Sequence, residues 1–335
     1  MAQSNPGPVN QVEDDQCLVG KIIDRWVCDK RQECLEKVDH KKECFCKQVQ
    51  NALDKMFRAH KYDSLEEGIQ DMEYEDPFFQ FGYMYKHSMF SARSLTNIIQ
   101  SPEVVEKFKI QVRNNGTGTI NVACLGGGPG SDVLGVLDYF TKDGFEGKLV
   151  IHLYDRQDKW GPCWESLKTA INAELHDDRV TVSFHDFDVT TADKNKPDIE
   201  NADIITMHFF MEEVYSEREN PTVMECFDNI IQKAKPGTLF LYSGMYMYQA
   251  IDWVHQLLNN CKILTPGTEL TNRSYRDSRT KVTEWIPSIK VDLKQEGDLK
   301  LFDDIKEELK IPNSTEDFKV SQRYNGEVVY RLYQK

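Results

Sequence analysis

The apolar positions change period once along the chain. Leu18, Ile22, Trp26 and Val27 form one stripe at helical spacing, and Phe45, Val49, Leu53, Met56 and Phe57 form a second, which predicts helices between Cys17 and Tyr62. Ser64-Leu65-Glu66-Glu67 has the form of a capping box opening a further helix. Asp76-Pro77 supplies an N-cap and a first helical residue for Phe78 to Ile99, and Ser101-Pro102 repeats the signal for a helix to about Val112. Asn114-Asn115-Gly116-Thr117-Gly118 breaks this pattern.

Beyond the break, short apolar runs at Ile120–Leu125, Lys148–Tyr154, Arg179–Phe184, Ala202–Phe210 and Thr238–Ser243 alternate with helical patterns at 132–140, 163–175, 222–234 and 246–258. Such alternation predicts an α/β fold with a parallel sheet covered on both faces. Lys281–Val291 and Glu327–Tyr333 read as further strands, and the acidic, helix-prone residues 292–318 as an insertion or covering segment. The expected organisation is a disordered N-terminus over 1–16, a helical cap or substrate region over 17–118, and a nucleotide-type domain over 119–335.

Composition narrows the function classes. The 335 residues are 40% hydrophobic and 29% charged, as in a soluble globular protein, and the net charge of −14 disfavours a general nucleic-acid binder. No apolar run approaches the ~20 residues a membrane helix needs. The polar, acidic first fifteen residues lack a signal-peptide pattern, so a cytoplasmic or nuclear compartment with reduced thiols is expected for the nine cysteines. On that expectation the N-x-S/T matches at Asn115, Asn272 and Asn313 are chance. Cys28, Cys34, His40, Cys44 and Cys46 lack the close C-x2–4-C pair of structural zinc sites, which favours free thiols there.

The chemistry concentrates at Cys124-Leu125-Gly126-Gly127-Gly128-Pro129-Gly130-Ser131-Asp132, where a strand pattern ends in four glycines within five positions and a helix pattern opens. Glycine tolerates positive φ and lets a ligand approach the backbone. The following helix offers unpaired N–H groups and the positive end of its dipole, and Ser131 or Asp132 is placed to cap it. The turn suits a ligand bearing a carboxylate, a phosphate or hydroxyls. A dinucleotide fingerprint requires Gly or Ala where this chain has Ser131; the spacing that fits is G-x-G-x-G at Gly126, Gly128 and Gly130.

In that spacing the chain resembles the class I S-adenosylmethionine-dependent methyltransferases. The resemblance rests on the order of signals over residues 119–258: the glycine turn, an acid after the second strand, an Asp-aromatic pair after the third, and Lys235-Pro236-Gly237 before the fifth. It implies a Rossmann-like, mostly parallel seven-stranded sheet closed by an antiparallel pair, with S-adenosylmethionine as cofactor. Asp155 would hold the ribose hydroxyls, with Arg156 beside it. Asp186, or alternatively Asp188, would take the adenine amine, with Phe187 as its apolar wall. His208 is the candidate catalytic base and also borders the cofactor position. Tyr83, Tyr85, Phe209 and Tyr246 are candidate substrate contacts. Glu212 and Glu213 would bind a cationic substrate or begin a helix, and Trp160 and Trp164 would pack their helix onto the sheet. Where the family usually carries an acid, two positions before its first glycine, this chain has Cys124. The expected acceptor is a small molecule or a protein side chain. Two alternatives stay open: a non-catalytic methyltransferase-like interaction protein, and a nicotinamide-dependent oxidoreductase.

Overall fold

A computed structural model describes residues 18–59, 74–114, 118–191, 199–265, 273–276, 283–293 and 325–335. The capping box at 64–67, the N-terminal residues 1–16 and nearly all of the acidic segment 292–318 lie outside the described residues.

Four helices precede the sheet: α1 (Leu18–Lys37), α2 (Lys42–Ala59), α3 (Pro77–Gln100) and α4 (Pro102–Asn114). α3 begins as its sequence dictates, with Pro77 in the first turn and the Asp76 carboxylate accepting the Phe78 N–H at 2.9 Å. The alternating part runs β1 (Thr119–Leu125), α5 (Ser131–Lys142), β2 (Lys148–Asp155), α6 (Gln157–Leu175), β3 (Val180–Asp186), β4 (Ile204–His208), α7 (Phe210–Val214), α8 (Pro221–Lys233), β5 (Leu239–Gly244) and α9 (Tyr248–Leu257). Short strands β6 (Lys262–Ile263), β7 (Arg273–Arg276), β8 (Thr283–Ile286) and β9 (Ser288–Asp292) follow, and β10 (Asn325–Gln334) ends the chain.

β1 through β5 are parallel, in the order β3-β2-β1-β4-β5, and β10 joins β5 antiparallel. The sheet holds eight strands yet is seven positions wide. Val329 of β10 pairs with Gly244 and with Ser288, and Tyr333 pairs with Phe240 and with Ile263, so β9 and β6 share the edge of β10 away from β5. The run Lys281–Val291, expected as one strand, is two: Pro287 interrupts it, and β8 turns to pair with β7 in a separate two-stranded sheet. α6 starts six residues before the expected Cys163, because Asp186 at the end of β3 accepts the Gln157 N–H at 3.0 Å and holds the first turn, and Pro162 is carried inside the helix.

Both faces of the parallel strands are buried, and alternate residues divide between two cores. Val122 and Cys124 of β1, with Leu239 and Leu241 of β5, enter the core that also contains α1 to α6; Ala123, Leu125, Phe240 and Tyr242 enter the core under α8 and α9. The N-terminal helices therefore share a core with the sheet. α3 lies close on α5: a Cβ on Gly135 would sit 2.8 Å from the Ala92 carbonyl, and the Thr96 hydroxyl donates to the Gly135 carbonyl at 3.1 Å. Arg93 and Asp138 form a buried ion pair across this contact at 2.7 Å, and Lys142 adds a second cation to Asp138 at 2.8 Å. No helix of the described residues is long and apolar enough to cross a membrane.

Removing one partner of a buried pair strands the other charge. Arg93→Met should cost about 3 kcal/mol of unfolding free energy, at the lower end for such a change because Lys142 still reaches Asp138. Urea denaturation checks this; a loss under about 0.5 kcal/mol would show the pair to be a minor contributor.

Candidate active site

The strand order reverses between β1 and β4, and at that switch point the carboxyl ends of the strands open a crevice. The turn after β1 forms its floor. Gly126, Gly128 and Gly130 all have positive φ, at 65°, 54° and 109°. At Gly126 a Cβ would fall 1.9 Å from the Phe210 ring, and at Gly130 2.2 Å from Leu167 Cδ2. At Gly128 the nearest atoms to such a Cβ are those of Trp160, at 3.9 Å. Gly126 and Gly130 thus let α7 and α6 close on the turn, whereas a Cβ at Gly128 would make only ordinary contact with Trp160.

The turn is tied to the end of β2. The Gly126 N–H donates to the Tyr154 carbonyl at 2.8 Å, and the Gly128 N–H donates to Asp155 Oδ2 at 2.6 Å. Asp155 Oδ1 accepts the Arg156 N–H at 2.7 Å. Burial pushes the Asp155 carboxyl up to about 6, against the pull of these two N–H groups. Two backbone donors fix the carboxylate and leave a second lone pair on each oxygen for hydroxyl donors.

A narrow cleft opens above the turn. Its walls are Tyr74, Tyr83 and Ser91 from the N-terminal region, Gly126 to Pro129, Ser131 and Asp132 from the turn and α5, Trp160 from α6, and His208, Phe209 and Glu213 after β4. Trp160 packs against Tyr83 and Tyr74, with ring centroids 5.2 and 5.3 Å apart. Phe209 holds φ at 58°, a costly conformation for a bulky residue and one common at functional sites. None of these lining side chains is Lys or Arg. Burial, then the charges of Asp155, Glu212 and Asp132, pushes the Glu213 carboxyl up to about 8, and burial pushes Glu212 up to about 7.

Of the residues expected from sequence, the cleft brings together Gly126, Gly128, Tyr83, His208 and Phe209, with Asp155 reached through Gly128. Gly130 belongs to the turn's packing. Arg156 is exposed, 3.6 Å from both Asp158 and Asp188. Asp186 is exposed and lies in register with Asp155, its Oδ1 spent on α6. Phe187 is buried, 6.1 Å from the Tyr154 ring. Tyr85 is outside the cleft, buried and stacked on Phe81, and Tyr246 is exposed and also outside its walls. His208 is buried, with Nδ1 2.7 Å from the Ser243 hydroxyl and Nε2 3.1 Å from both the Ser94 hydroxyl and the Ser91 carbonyl. The carbonyl can only accept, so Nε2 carries a proton, and in the neutral ring Nδ1 then accepts from Ser243. Glu212 and Glu213 do start α7; Glu212 turns to the Tyr242 hydroxyl at 3.0 Å, and Glu213 lines the cleft.

Neither Ser131 nor Asp132 caps α5. The N-cap is Gly130, without a side-chain bond, and both side chains turn into the cleft wall. Tyr74, Ser91 and Asp132 were not expected in a binding role, and Trp160 was expected only to pack. Among the described residues the cysteines of α1 and α2 form no disulfide: Cys34 is buried and donates to the Pro77 carbonyl, Cys28 is partly buried and donates to Asp24, and Cys44 is exposed. Among the described residues no group of three or more His, Cys, Asp or Glu could hold a metal ion.

A family model described as "Putative SAM-dependent methyltransferase" matches residues 58–244, more than half of the chain. The chain belongs to this family. The match begins within the N-terminal helical part and includes α3 and α4, so these helices are part of the methyltransferase unit that the family defines. The cofactor is S-adenosylmethionine and the activity methyl transfer, which disfavours both the nicotinamide and the non-catalytic alternatives. No curated protein matches the chain. Similar solved structures include an O-methyltransferase family protein from Burkholderia thailandensis, 12% identical, covering 87% of this chain and 72% of that one at a TM-score of 0.41. A CurJ carbon methyltransferase is 11% identical, with 92% and 70% covered at 0.38, and a loganic acid methyltransferase with SAH is 7% identical, with 75% and 96% covered at 0.37. These likenesses are remote, and the family match decides.

The residues present fit such a cofactor. The turn is uncrowded at Gly128, Asp155 is fixed with lone pairs to spare, and the buried Ser131 hydroxyl in the cleft wall has no hydrogen-bond partner.

Gly126→Ala combines about 1 kcal/mol of left-handed backbone strain with overlap on Phe210, and should cost about 3 kcal/mol in all. Gly118→Ala has a similar φ of 66° but nothing within 4 Å, and should cost only about 1 kcal/mol. Thermal denaturation of the two variants checks the difference; equal losses would mean that Phe210 yields without cost.

Proposed function

We propose that this methyltransferase acts on a small molecule or a protein side chain, admitted to the cleft between the turn after β1 and helix α3. The observation that carries the site assignment is the Asp155 carboxylate at the end of β2, held at 2.6 and 2.7 Å by two backbone N–H groups, one of them from the turn after β1. Fixed in this way it suits a vicinal diol, and so the ribose of the cofactor. Asp186 and Phe187 lie one strand further out, in register with Asp155, and are the proposed adenine side. Arg156 is proposed to border the sugar. Tyr83 and Phe209 are proposed to shape the acceptor side, where the cofactor, when bound, supplies an electrophilic methyl on a sulfonium.

In-line attack on such a methyl asks the protein mainly for alignment and exclusion of water. The aromatic wall of Tyr74, Tyr83 and Trp160 excludes water, and a cleft with carboxylates and no lining cation favours a positively charged donor. His208 is the proposed proton acceptor for a nucleophile that arrives protonated; Nδ1 would have to exchange its Ser243 partner to serve. The acidic net charge supports a small-molecule or protein acceptor over nucleic acid. We read residues 17–118 as the substrate-side region and 119–335 as the cofactor domain, and we place the protein in the cytoplasm or nucleus.

The Asp155 carboxyl, raised to about 6 from 3.8, gives two opposite pH trends. Between those values the folded protein holds a proton that the unfolded chain has released, so its contribution to stability is full at low pH and is lost as pH rises through about 6. Binding the sugar needs the ionised form, so affinity for S-adenosylhomocysteine should rise with pH until it levels off above about 6. Asp155→Asn should remove that limb and weaken binding about 10- to 100-fold at neutral pH. Calorimetric titrations from about pH 5 to about pH 8 check this; unchanged affinity would remove Asp155 from the site.

His208→Ala should slow turnover with methyl-labelled cofactor at least about tenfold while cofactor affinity stays within about twofold. Full activity would leave His208 as a brace between β4, β5 and α3.

A further inference from the structure

One wall of the cleft sets a carboxylate among aromatic rings. Glu213 stands in α7, about one helical turn beyond Phe209 with its positive φ. It lines the cleft and is partly buried, and among the described residues its side chain makes no hydrogen bond and no ion pair. Tyr74 and Tyr83 line the same cleft, and both pack on Trp160, with ring centroids 5.3 and 5.2 Å from it. Burial, then the charge of Glu213, raises the Tyr74 phenol, so the carboxylate and that ring share one side of the cleft.

These groups limit what can be methylated there. Burial, then the charges of Asp155, Glu212 and Asp132, already hold the Glu213 carboxyl up. An anionic acceptor would add to that repulsion, and no Lys or Arg in the wall offsets it. A neutral hydroxyl would give Glu213 a hydrogen bond but no compensating charge. The cofactor's sulfonium has a charge but no N–H to donate, and it loses that charge when the methyl leaves. An ammonium supplies both, with donors for the carboxylate and a positive charge for the faces of the rings.

We propose that the methyl acceptor is an aliphatic amine whose nitrogen is held by the Glu213 carboxylate against the rings of Tyr74 and Tyr83. This rests on the site reading above and names the acceptor class for it. The bound ammonium gives one N–H proton to His208, in the same cleft. The freed lone pair forms the nitrogen–carbon bond to the methyl, and the carbon–sulfur electron pair returns to sulfur, leaving a neutral thioether. The methylated nitrogen again carries one positive charge, which Glu213 still pairs. Glu213 therefore selects the acceptor, and the proton transfer stays with His208.

The test uses the full chain saturated with S-adenosylhomocysteine and two matched pairs of probes: benzylamine with benzyl alcohol, and 2-phenylethylamine with 2-phenylethanol. Each alcohol has nearly the shape of its amine and lacks the charge. By calorimetry at least one amine should bind at least about tenfold more tightly than its alcohol. Glu213→Gln should reduce that preference to within about twofold while affinity for S-adenosylhomocysteine stays within about threefold. Tyr83→Leu should weaken the amine about fivefold and its alcohol less than about twofold, and it decides the matter if Glu213→Gln fails to fold. With methyl-labelled S-adenosylmethionine the label should appear on the nitrogen of the bound amine. Equal binding of amine and alcohol in both pairs, a preference that survives Glu213→Gln, or a bound amine that takes no label overturns the proposal. Failure of the unsubstituted chain to bind S-adenosylhomocysteine would instead overturn the cofactor reading itself.

Discussion

The hydrogen bond from the Gly128 N–H to the Asp155 carboxylate joins the two parts of the chain on which the site depends. Without it the turn after β1 would be a loose glycine segment, and the acid at the end of β2 would be a solvated strand terminus. The bond needs three conditions at once. Gly128 must hold positive φ, so that its N–H turns toward β2. β1 and β2 must pair in parallel register up to Leu125 and Tyr154, which sets the height of Asp155 relative to the turn. Gly126 and Gly130 must lack a Cβ, so that Phe210 and Leu167 can press the turn into place. Each condition belongs to a different level of structure, and together they convert a flexible segment into a preorganised one.

The rest of the fold supplies rigidity around that bond. Because both faces of the sheet are buried, a one-residue slip of β2 against β1 would exchange its core residues between faces, and the register is strongly specified. α3 contributes more than a cover. Its ion pair with α5, and the close approach at Gly135, fix the helix whose first turn faces the cleft. Ser91 and Ser94 of α3 also hold His208 at the end of β4. α3 is therefore part of the support of the site, and it lies within the residues that the family model matches.

How much of this was legible in the sequence follows from how local each signal is. The glycine turn and Asp155 were readable because a turn followed by a helix, and an acid at a strand end, are written in a few consecutive residues. The α3 cap at Asp76-Pro77 was readable for the same reason. Tyr83 and Tyr85 looked equivalent, but two positions on a helix are about 200° apart, and only Tyr83 faces the cleft while Tyr85 turns into the core. Tyr74, Ser91, Trp160 and Glu213 meet only in the folded chain, from elements far apart in sequence. The early start of α6 was hidden because Gly161-Pro162 resembles a break, and the bond that holds its first turn comes from β3.

Asp132 illustrates the limit of a local rule. An acid in the first turn of a helix is ordinarily explained by the helix dipole and by capping, and that explanation suffices from sequence. In the folded chain it fails, because Gly130 occupies the cap and the carboxylate is buried beside Thr206. Its proximity to Asp155 and Glu213 makes the cost larger, since each buried negative charge raises the cost of the next.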